Sequence, residues 1–231
     1  MTVPTCVVIP FRNEAQMTSD LLISLREQGN YEAILLFDNG SGQEALDHLA
    51  PLLLEDPKLR MFHRPEARIY EMWNEGWSTA LGEYPVVNVA ILNNDIAIPA
   101  GFLQTLANVL RSSPDIWAVY PDYDRSVADG THALGVRDTR GTYQHGGMCG
   151  WAFMLRGEAA NEGLPYIDTQ FEWWYGDDDL VRNVAQLGKR VCRVTGLPLD
   201  HIGEKTARNG ENEWTHEAKG RDTTRFHQKW K

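Results

Sequence analysis

Short apolar runs alternate with amphipathic segments along the first 120 residues of the chain. Apolar runs at residues 6–10, 33–37, 59–62 and 85–92 predict four strands; the first two are apolar throughout, and the fourth is the strongest strand signal in the chain. A continuous apolar run of this length is typical of a strand that is buried on both faces. Leucine-rich segments at helical spacing between these runs predict three helices, two of which are followed by Gly29 and Gly82.

Strands that alternate with helices favour a parallel sheet covered by helices, with right-handed crossovers. We therefore expect an α/β fold, a single Rossmann-like domain with a mostly parallel central sheet flanked by helices. Ligands of such sheets bind at the carboxyl ends of the strands. Three predicted strands end in polar residues, at positions 12–14, 38–39 and 93–95, so the sequence predicts a crevice there.

The second half of the chain is less regular. Residues 123–145 are polar and rich in turn-forming residues, and they predict a loop. An apolar run at 151–155 and another at 191–194 predict two more strands, and a helix is expected between Asp177 and Gly188. We interpret residues 1–205 as one domain, with a nucleotide-sugar half of about 1–120 and a catalytic half of about 121–205. The partly basic residues 206–231 are expected to form a solvated tail.

Composition narrows the function classes. The chain has 231 residues, with 22 Lys and Arg against 32 Asp and Glu, which gives a net charge of −10. Such a body repels nucleic acid. Three cysteines without metal-type spacing suggest neither a disulfide framework nor a zinc site. No apolar stretch is long enough to span a bilayer, so we expect a soluble, cytoplasmic protein.

Five segments carry a resemblance to a known family. They are residues 7–14 (VVIPFRNE), 36–41 (LFDNGS), 91–95 (ILNND), 176–180 (GDDDL) and 200–203 (DHIG). Their content and order resemble family 2-like glycosyltransferases with the A-type, nucleotide-diphospho-sugar transferase fold, over about the first 205 residues. The resemblance implies an enzyme that takes a nucleotide-diphosphate sugar, most often a UDP-sugar, as donor.

The same resemblance implies a metal and donor site. Asn93-Asn94-Asp95 resembles the family's DxD motif with one carboxylate left, which makes Asp95 a metal ligand. His201 resembles a second metal ligand of relatives, and a carboxylate with an imidazole suits Mn²⁺ somewhat better than Mg²⁺. In simpler interpretations, the three residues only turn the chain and His201 is a hydrogen-bonded surface residue. The donor contacts implied are Pro10, Arg12, Glu14, Asp38, Asn74, Asn93 and Asn94.

Asp177, Asp178 and Asp179 open the helix that is predicted to end at Gly188. The family pattern places its catalytic base on the residue that matches Asp177, but Gly176 replaces the preceding acid, which leaves Asp178 as the alternative. A carboxylate within hydrogen-bond reach of an acceptor hydroxyl can remove its proton. Capping of the helix N-terminus explains one or two of the aspartates but does not require three.

These observations predict a metal-dependent glycosyltransferase that inverts the anomeric centre by a single displacement; a retaining outcome stays open. A sugar-phosphate nucleotidyltransferase is one alternative, although it normally carries a glycine-rich basic loop after its first strand. A non-catalytic carbohydrate-binding protein is another, since Trp151, Trp173 and Trp174 could stack on sugar rings. A glycan, a lipid-linked saccharide, a protein or a modified nucleic-acid base could supply the acceptor hydroxyl, and the oligomeric state is not predicted.

Overall fold

The computed structural model describes residues 3–121, 135–138, 148, 150–197, 199–202 and 213–231. The strands are Thr5–Phe11 (β1), Ala33–Asp38 (β2), Leu59–His63 (β3), Asn88–Leu92 (β4), Ile96–Ala97 (β5), Ile116–Pro121 (β6), Gly135–Asp138 (β7), Ala152–Arg156 (β8), Arg190–Thr195 (β9) and Asp200–His201 (β10). The helices are Ala15–Gln28 (α1), Gln43–Glu55 (α2), Ile69–Glu83 (α3), Phe102–Arg111 (α4), Gly176–Gln186 (α5) and Glu213–Lys229 (α6).

Eight strands form one sheet in the order β3-β2-β1-β4-β8-β6-β9-β7. β1 pairs in parallel with both β2 and β4, and β2 pairs in parallel with β3. β2 and β3 therefore lie on one side of β1, and β4 lies on the other, so β1 is the reversal point of the strand order. The turns that follow β1, β2 and β4 lie at the same edge of the sheet. β8 runs antiparallel to β4 and β6, whereas β6 and β9 are parallel. The predicted α/β fold with a mostly parallel sheet is confirmed.

The core consists of one apolar layer on each face of the sheet. Alternate residues of β1 divide between them: Cys6 and Val8 face the layer that contains α3 and α5, and Val7 and Ile9 face the layer that contains α1 and α4. This alternation explains why β1 is apolar at every position from Cys6 to Phe11. No described helix combines the length and the apolarity that a membrane span needs.

Two expectations from the sequence differ from the structure. Residues 135–138, which we placed in a loop, form β7 at the sheet edge, antiparallel to β9; an edge strand with polar sequence carries little of the apolar signal on which the prediction relied. The rest of that predicted loop lies outside the described residues. The C-terminal segment is not merely solvated, because α6 packs on the body through Ala218 and Phe226, which are buried.

Candidate active site

The turns after β1 and β2 are bound to each other. The Asn13 backbone amide donates to Ser41 Oγ at 2.8 Å, and the Gly42 amide donates to Asn13 Oδ1 at 2.9 Å. Asn13 and Glu14 have positive φ values of 56° and 45°, a conformation that is uncommon for residues other than glycine. The cross-links between the two turns hold this backbone in place, so the edge of the crevice has a defined shape.

The predicted donor contacts on these turns differ in accessibility. Pro10 is buried within β1 opposite Phe37, whereas Arg12 is exposed and Glu14 is partly buried. Arg12 is therefore available to a ligand in solution. A role of Pro10 can come only from the shape that it gives the end of β1. The donor contacts of all three residues stay predictions.

Asp38 ends β2 and is completely buried. One carboxylate oxygen accepts the Ser41 amide at 2.8 Å, and the other is bonded to His63 Nδ1. Burial acts to raise the pKa of Asp38, but the hydrogen bonds from Ser41 and His63 outweigh it and lower the pKa. A direct contact between Asp38 and a donor base would require one of these partners to move, and it stays a prediction. His63, whose side chain is 60% exposed, is the group of this cluster that meets solvent.

The polar residues after β4 are held from two sides. The Asn93 amide donates to the Trp151 carbonyl at 2.8 Å, and Asn94 Nδ2 donates to Thr18 Oγ1 on α1 at 3.0 Å. Asn94 therefore has a structural contact in addition to any contact with a donor. These bonds fix the backbone from which Asp95 projects.

Asp95 and His201 lie next to each other although 106 positions separate them in the sequence. β5 and β10 pair as a two-stranded antiparallel ladder, and the Ile202 amide donates to the Asp95 carbonyl at 2.9 Å. Asp95 Oδ1 and His201 Nε2 are 3.3 Å apart, with side chains 14% and 18% exposed. Both atoms are buried, and neither has a hydrogen-bond partner.

The two atoms fit a shared divalent cation. Adjacent oxygen or nitrogen ligands at about 2.1 Å from an octahedral ion lie about 3 Å from each other, close to the observed separation. Buried polar atoms without partners are destabilising unless something binds them. No cluster of three or more acidic, histidine or cysteine ligands occurs among the described residues, so substrate oxygens and water would have to complete the coordination shell.

Asp177 begins the first turn of α5 and lies against residue 150. A Cβ atom added to Gly150 would come within 2.7 Å of Asp177 Oδ2, so only glycine fits here without a shift. Burial and the neighbouring Asp178 charge raise the pKa of Asp177 to about 7, although backbone amides, including that of Gly150, bind the carboxylate and oppose the shift. Part of Asp177 nevertheless remains accessible. A carboxylate with this pKa can accept a proton near neutral pH.

The three aspartates of α5 have different environments. Burial raises the pKa of Asp178, and the nearby positive charge of Arg182 opposes that shift. Asp179 is completely buried and accepts hydrogen bonds from Lys229 Nζ at 3.0 Å and Trp230 Nε1 at 2.8 Å. The third aspartate, which capping did not explain, therefore anchors the C-terminal segment.

Tyr70 orients the start of α5, and we did not identify it from the sequence. Its hydroxyl donates to the Trp173 carbonyl at 2.8 Å and accepts the Gly176 amide at 3.1 Å. Its ring is buried against Gly176, where any Cβ would overlap it. This contact explains why glycine replaces the acidic residue of the family pattern. No local signal distinguishes Tyr70, because its partners lie more than 100 positions away.

Asn74 and the two tryptophans Trp151 and Trp174 each have a defined contact within the fold. Asn74 forms two hydrogen bonds with the backbone of Ile167, at 2.7 and 3.0 Å, so its side chain is already used within the fold. The Trp151 ring stacks on His201 with centroids 5.2 Å apart and planes 11° apart. Lys219 lies over the Trp174 ring at 4.9 Å, which covers one face of that proposed sugar platform.

Gly150 and Trp151 connect the two centres. Gly150 contacts Asp177, and its neighbour Trp151 stacks on His201. Consecutive Cα atoms are about 3.8 Å apart, so Asp177 and the Asp95–His201 pair contact neighbouring residues of the chain. The strand order and the reversal point at β1 agree with the class of fold that the resemblance to A-type sugar transferases predicts.

Comparisons with known proteins agree with this class. Residues 6–164 match the model of the family described as glycosyl transferase family 2. The chain belongs to this family. A search of curated proteins finds no match.

Solved structures share the fold at low sequence identity. A mannosyltransferase from Pyrobaculum calidifontis, in complex with GDP-Man and Mn²⁺, is 17% identical with a TM-score of 0.61; the match covers 89% of this chain and 59% of that chain. Glucosyl-3-phosphoglycerate synthase from Mycobacterium tuberculosis, in complex with Mn²⁺, UDP and glucosyl-3-phosphoglycerate, is 15% identical with a TM-score of 0.61 and coverages of 90% and 75%.

A third similar structure is GalNAc-T7 with UDP, GalNAc and Mn²⁺. It is 16% identical with a TM-score of 0.62, and the match covers 84% of this chain and 44% of that chain. The chain thus spans 59% and 44% of the first two structures matched. The likeness concerns the fold.

Proposed function

We propose that this protein is a metal-dependent glycosyltransferase that takes a nucleotide-diphosphate sugar as donor and inverts the anomeric centre with Asp177 as the base. The observation that carries the proposal is the Asp95–His201 pair, whose facing buried atoms lie 3.3 Å apart without a hydrogen-bond partner. Trp151 stacks on His201, and its neighbour Gly150 lies against Asp177. Mn²⁺ with a nucleotide or nucleotide sugar occurs in the three similar structures, which supports this choice of donor and metal.

In the proposed reaction Asp95 and His201 would hold the cation, and its positive charge would offset the negative charge on the departing diphosphate. An acceptor hydroxyl oxygen attacks the anomeric carbon while the bond from that carbon to the diphosphate oxygen breaks. Asp177 receives the hydroxyl proton. Its raised pKa suits this role, because a stronger base takes the proton more readily and still ionises near neutral pH.

The structure favours Asp177 over Asp178 as the base. Asp177 lies against Gly150, beside the residue that stacks on His201, whereas Asp178 is attracted to Arg182. The positive charge of Arg182 opposes the rise that burial causes in the pKa of Asp178. The donor contacts of Arg12, Glu14 and Asn93 belong to the same proposal, as does a UDP-sugar as the preferred donor.

The proposal is tested by nucleotide release. The protein is incubated with UDP- and GDP-sugars, with Mn²⁺ or with EDTA, and the nucleotide diphosphate set free by transfer to water or to an acceptor is measured. We expect release from at least one donor, only with metal, and its loss in Asp177→Asn at unchanged nucleotide affinity. NMR of the new anomeric linkage separates inversion from retention. Metal-independent release would overturn the metal role, and normal turnover of Asp177→Asn would overturn the base.

Asp95→Ala tests the metal pair without turnover. Calorimetry with UDP or GDP in the presence of Mn²⁺ should show at least tenfold weaker binding for this variant, since one of two protein ligands is lost. Asp47→Ala, which removes an exposed carboxylate of α2, is a control and should bind like the wild type. Unchanged affinity of Asp95→Ala would remove Asp95 from the site.

A further inference from the structure

A buried carboxylate of α6 holds the segment that leads into α5. Asp222 is completely buried, and its two oxygens accept hydrogen bonds from three consecutive backbone amides. The amide of Glu172 donates to both oxygens at 3.0 Å, and the amides of Trp173 and Trp174 donate to Oδ2 at 2.9 and 3.0 Å. Arg225 Nη1 lies 3.1 Å from Oδ1 and balances the charge.

This arrangement fixes a strained turn. Three amides that converge on one anion form a concave backbone, and hydrogen bonds to a charged acceptor are the stronger kind. Tyr175, the next residue, has a φ of 68°, a costly conformation for a side chain of this size. α5 begins directly afterwards at Gly176, so the contacts of Asp222 set where the helix starts.

α6 also holds α5 from the other side of Asp177 and Asp178. Asp179 accepts hydrogen bonds from Lys229 Nζ, in the last residue of α6, and from Trp230 Nε1, in the residue that follows α6. The contacts between the two segments join residues 48 to 51 positions apart. The two proposed acidic residues therefore lie between two points that α6 fixes.

We propose that α6 positions the catalytic helix, with Asp222 as the principal positioning residue and Trp230 as the second. Asp222 does not touch the reacting atoms; it acts by setting the backbone from which Asp177 projects. The inference rests on the proposed function of Asp177. A displacement of a catalytic group by about 1 Å can slow a reaction about a hundredfold, so a loosened turn would reduce turnover without weakening donor binding.

The test compares Asp222→Asn with the wild type as full chains. An asparagine keeps the size but offers one acceptor oxygen and turns an NH₂ group towards amides that also donate. We expect faster deuterium exchange at the amides of residues 172–174 and at least a tenfold lower kcat for nucleotide release from the best donor of the screen. The KM of that donor, and calorimetric binding of UDP or GDP with Mn²⁺, should stay within about twofold.

Glu217→Gln is the matched control, because it makes the same carboxylate-to-amide change on α6 at a side chain that is 61% exposed. It should leave exchange and kcat unchanged. Trp230→Phe removes the indole N–H that binds Asp179 and keeps a smaller aromatic ring near Arg182; it should lower kcat by a smaller factor at constant KM. If Asp222→Asn does not fold, Trp230→Phe decides: an unchanged kcat overturns the proposal, and a lowered kcat supports it.

The outcomes separate this inference from the proposed function. Normal kcat and normal exchange in Asp222→Asn, with an active wild type, overturn the positioning role alone. Equal losses of kcat and of nucleotide binding indicate general disruption and also overturn it. A wild type that releases nucleotide from no donor overturns the proposed function, and deuterium exchange, which needs no substrate, then decides whether Asp222 holds the turn.

Discussion

The pKa of Asp177 gives the sharpest prediction, which concerns the pH dependence of transfer. The charge of Asp178 and the buried hydroxyl of Tyr70 face this carboxylate, and burial with the Asp178 charge raises its pKa to about 7. Because a base must be ionised to accept a proton, the rate should rise with pH. About one tenth of the protein is ionised at Asp177 one pH unit below the pKa, and about nine tenths one unit above it.

The assay is the initial rate of nucleotide release by hydrolysis of the donor, at saturating donor and Mn²⁺, between pH 5 and pH 9. The rate at pH 6 should be about one tenth of the plateau. Asp178→Asn removes the like charge and should move the midpoint to lower pH, whereas the residual rate of Asp177→Asn should lose this titration. A wild-type midpoint below pH 5, or an unchanged titration in Asp177→Asn, would refute the reasoning.

Three further outcomes follow from the same contacts. Asp177 binds its proton more tightly in the folded protein than in the unfolded chain, so its ionisation lowers the stability of the fold as the pH rises from about 4 to about 7. Asp177→Asn should therefore raise Tm at pH 8 but not at pH 4. An equal shift of Tm at both pH values would contradict this. Gly176→Ala should destabilise by about 1–3 kcal/mol in denaturant melts because its methyl group overlaps the Tyr70 ring. In Gly82→Ala the new methyl group in α3 meets open space, so this variant should be more stable by about 0.5–1 kcal/mol. A similar loss of stability in Gly176→Ala and Gly82→Ala would exclude the overlap with Tyr70 as the cause.

The fold was predictable because the central strands are buried on both faces. β1, β2 and β4 are apolar at nearly every position, so hydropathy alone locates them and the polar turns that follow. β7 and the docking of α6 were not predictable in this way. β7 is a polar edge strand, and α6 contacts the body mainly through charged residues whose partners lie about 50 positions away.

The candidate site was predictable only where family resemblance supplied the pairing. Neither periodicity nor spacing indicates that Asp95 and His201 meet, yet their facing atoms are 3.3 Å apart. Tyr70 and Asp222 were missed, because a tyrosine in a helix and an aspartate in a charged segment look ordinary until the chain folds. Asn74, which the resemblance implies as a donor contact, forms hydrogen bonds with the backbone of Ile167 in the structure. The sequence gives no sign of this contact.

The direction of β8 ties the two parts of the candidate site together. Since β8 runs opposite to β4, its first residues rather than its last lie beside the turn after β4, where Trp151 accepts a hydrogen bond from Asn93. A shift of β8 would therefore displace Trp151, which stacks on His201, together with Gly150, which lies against Asp177. A substitution within β8 should for that reason disturb the proposed metal pair and the proposed base at the same time.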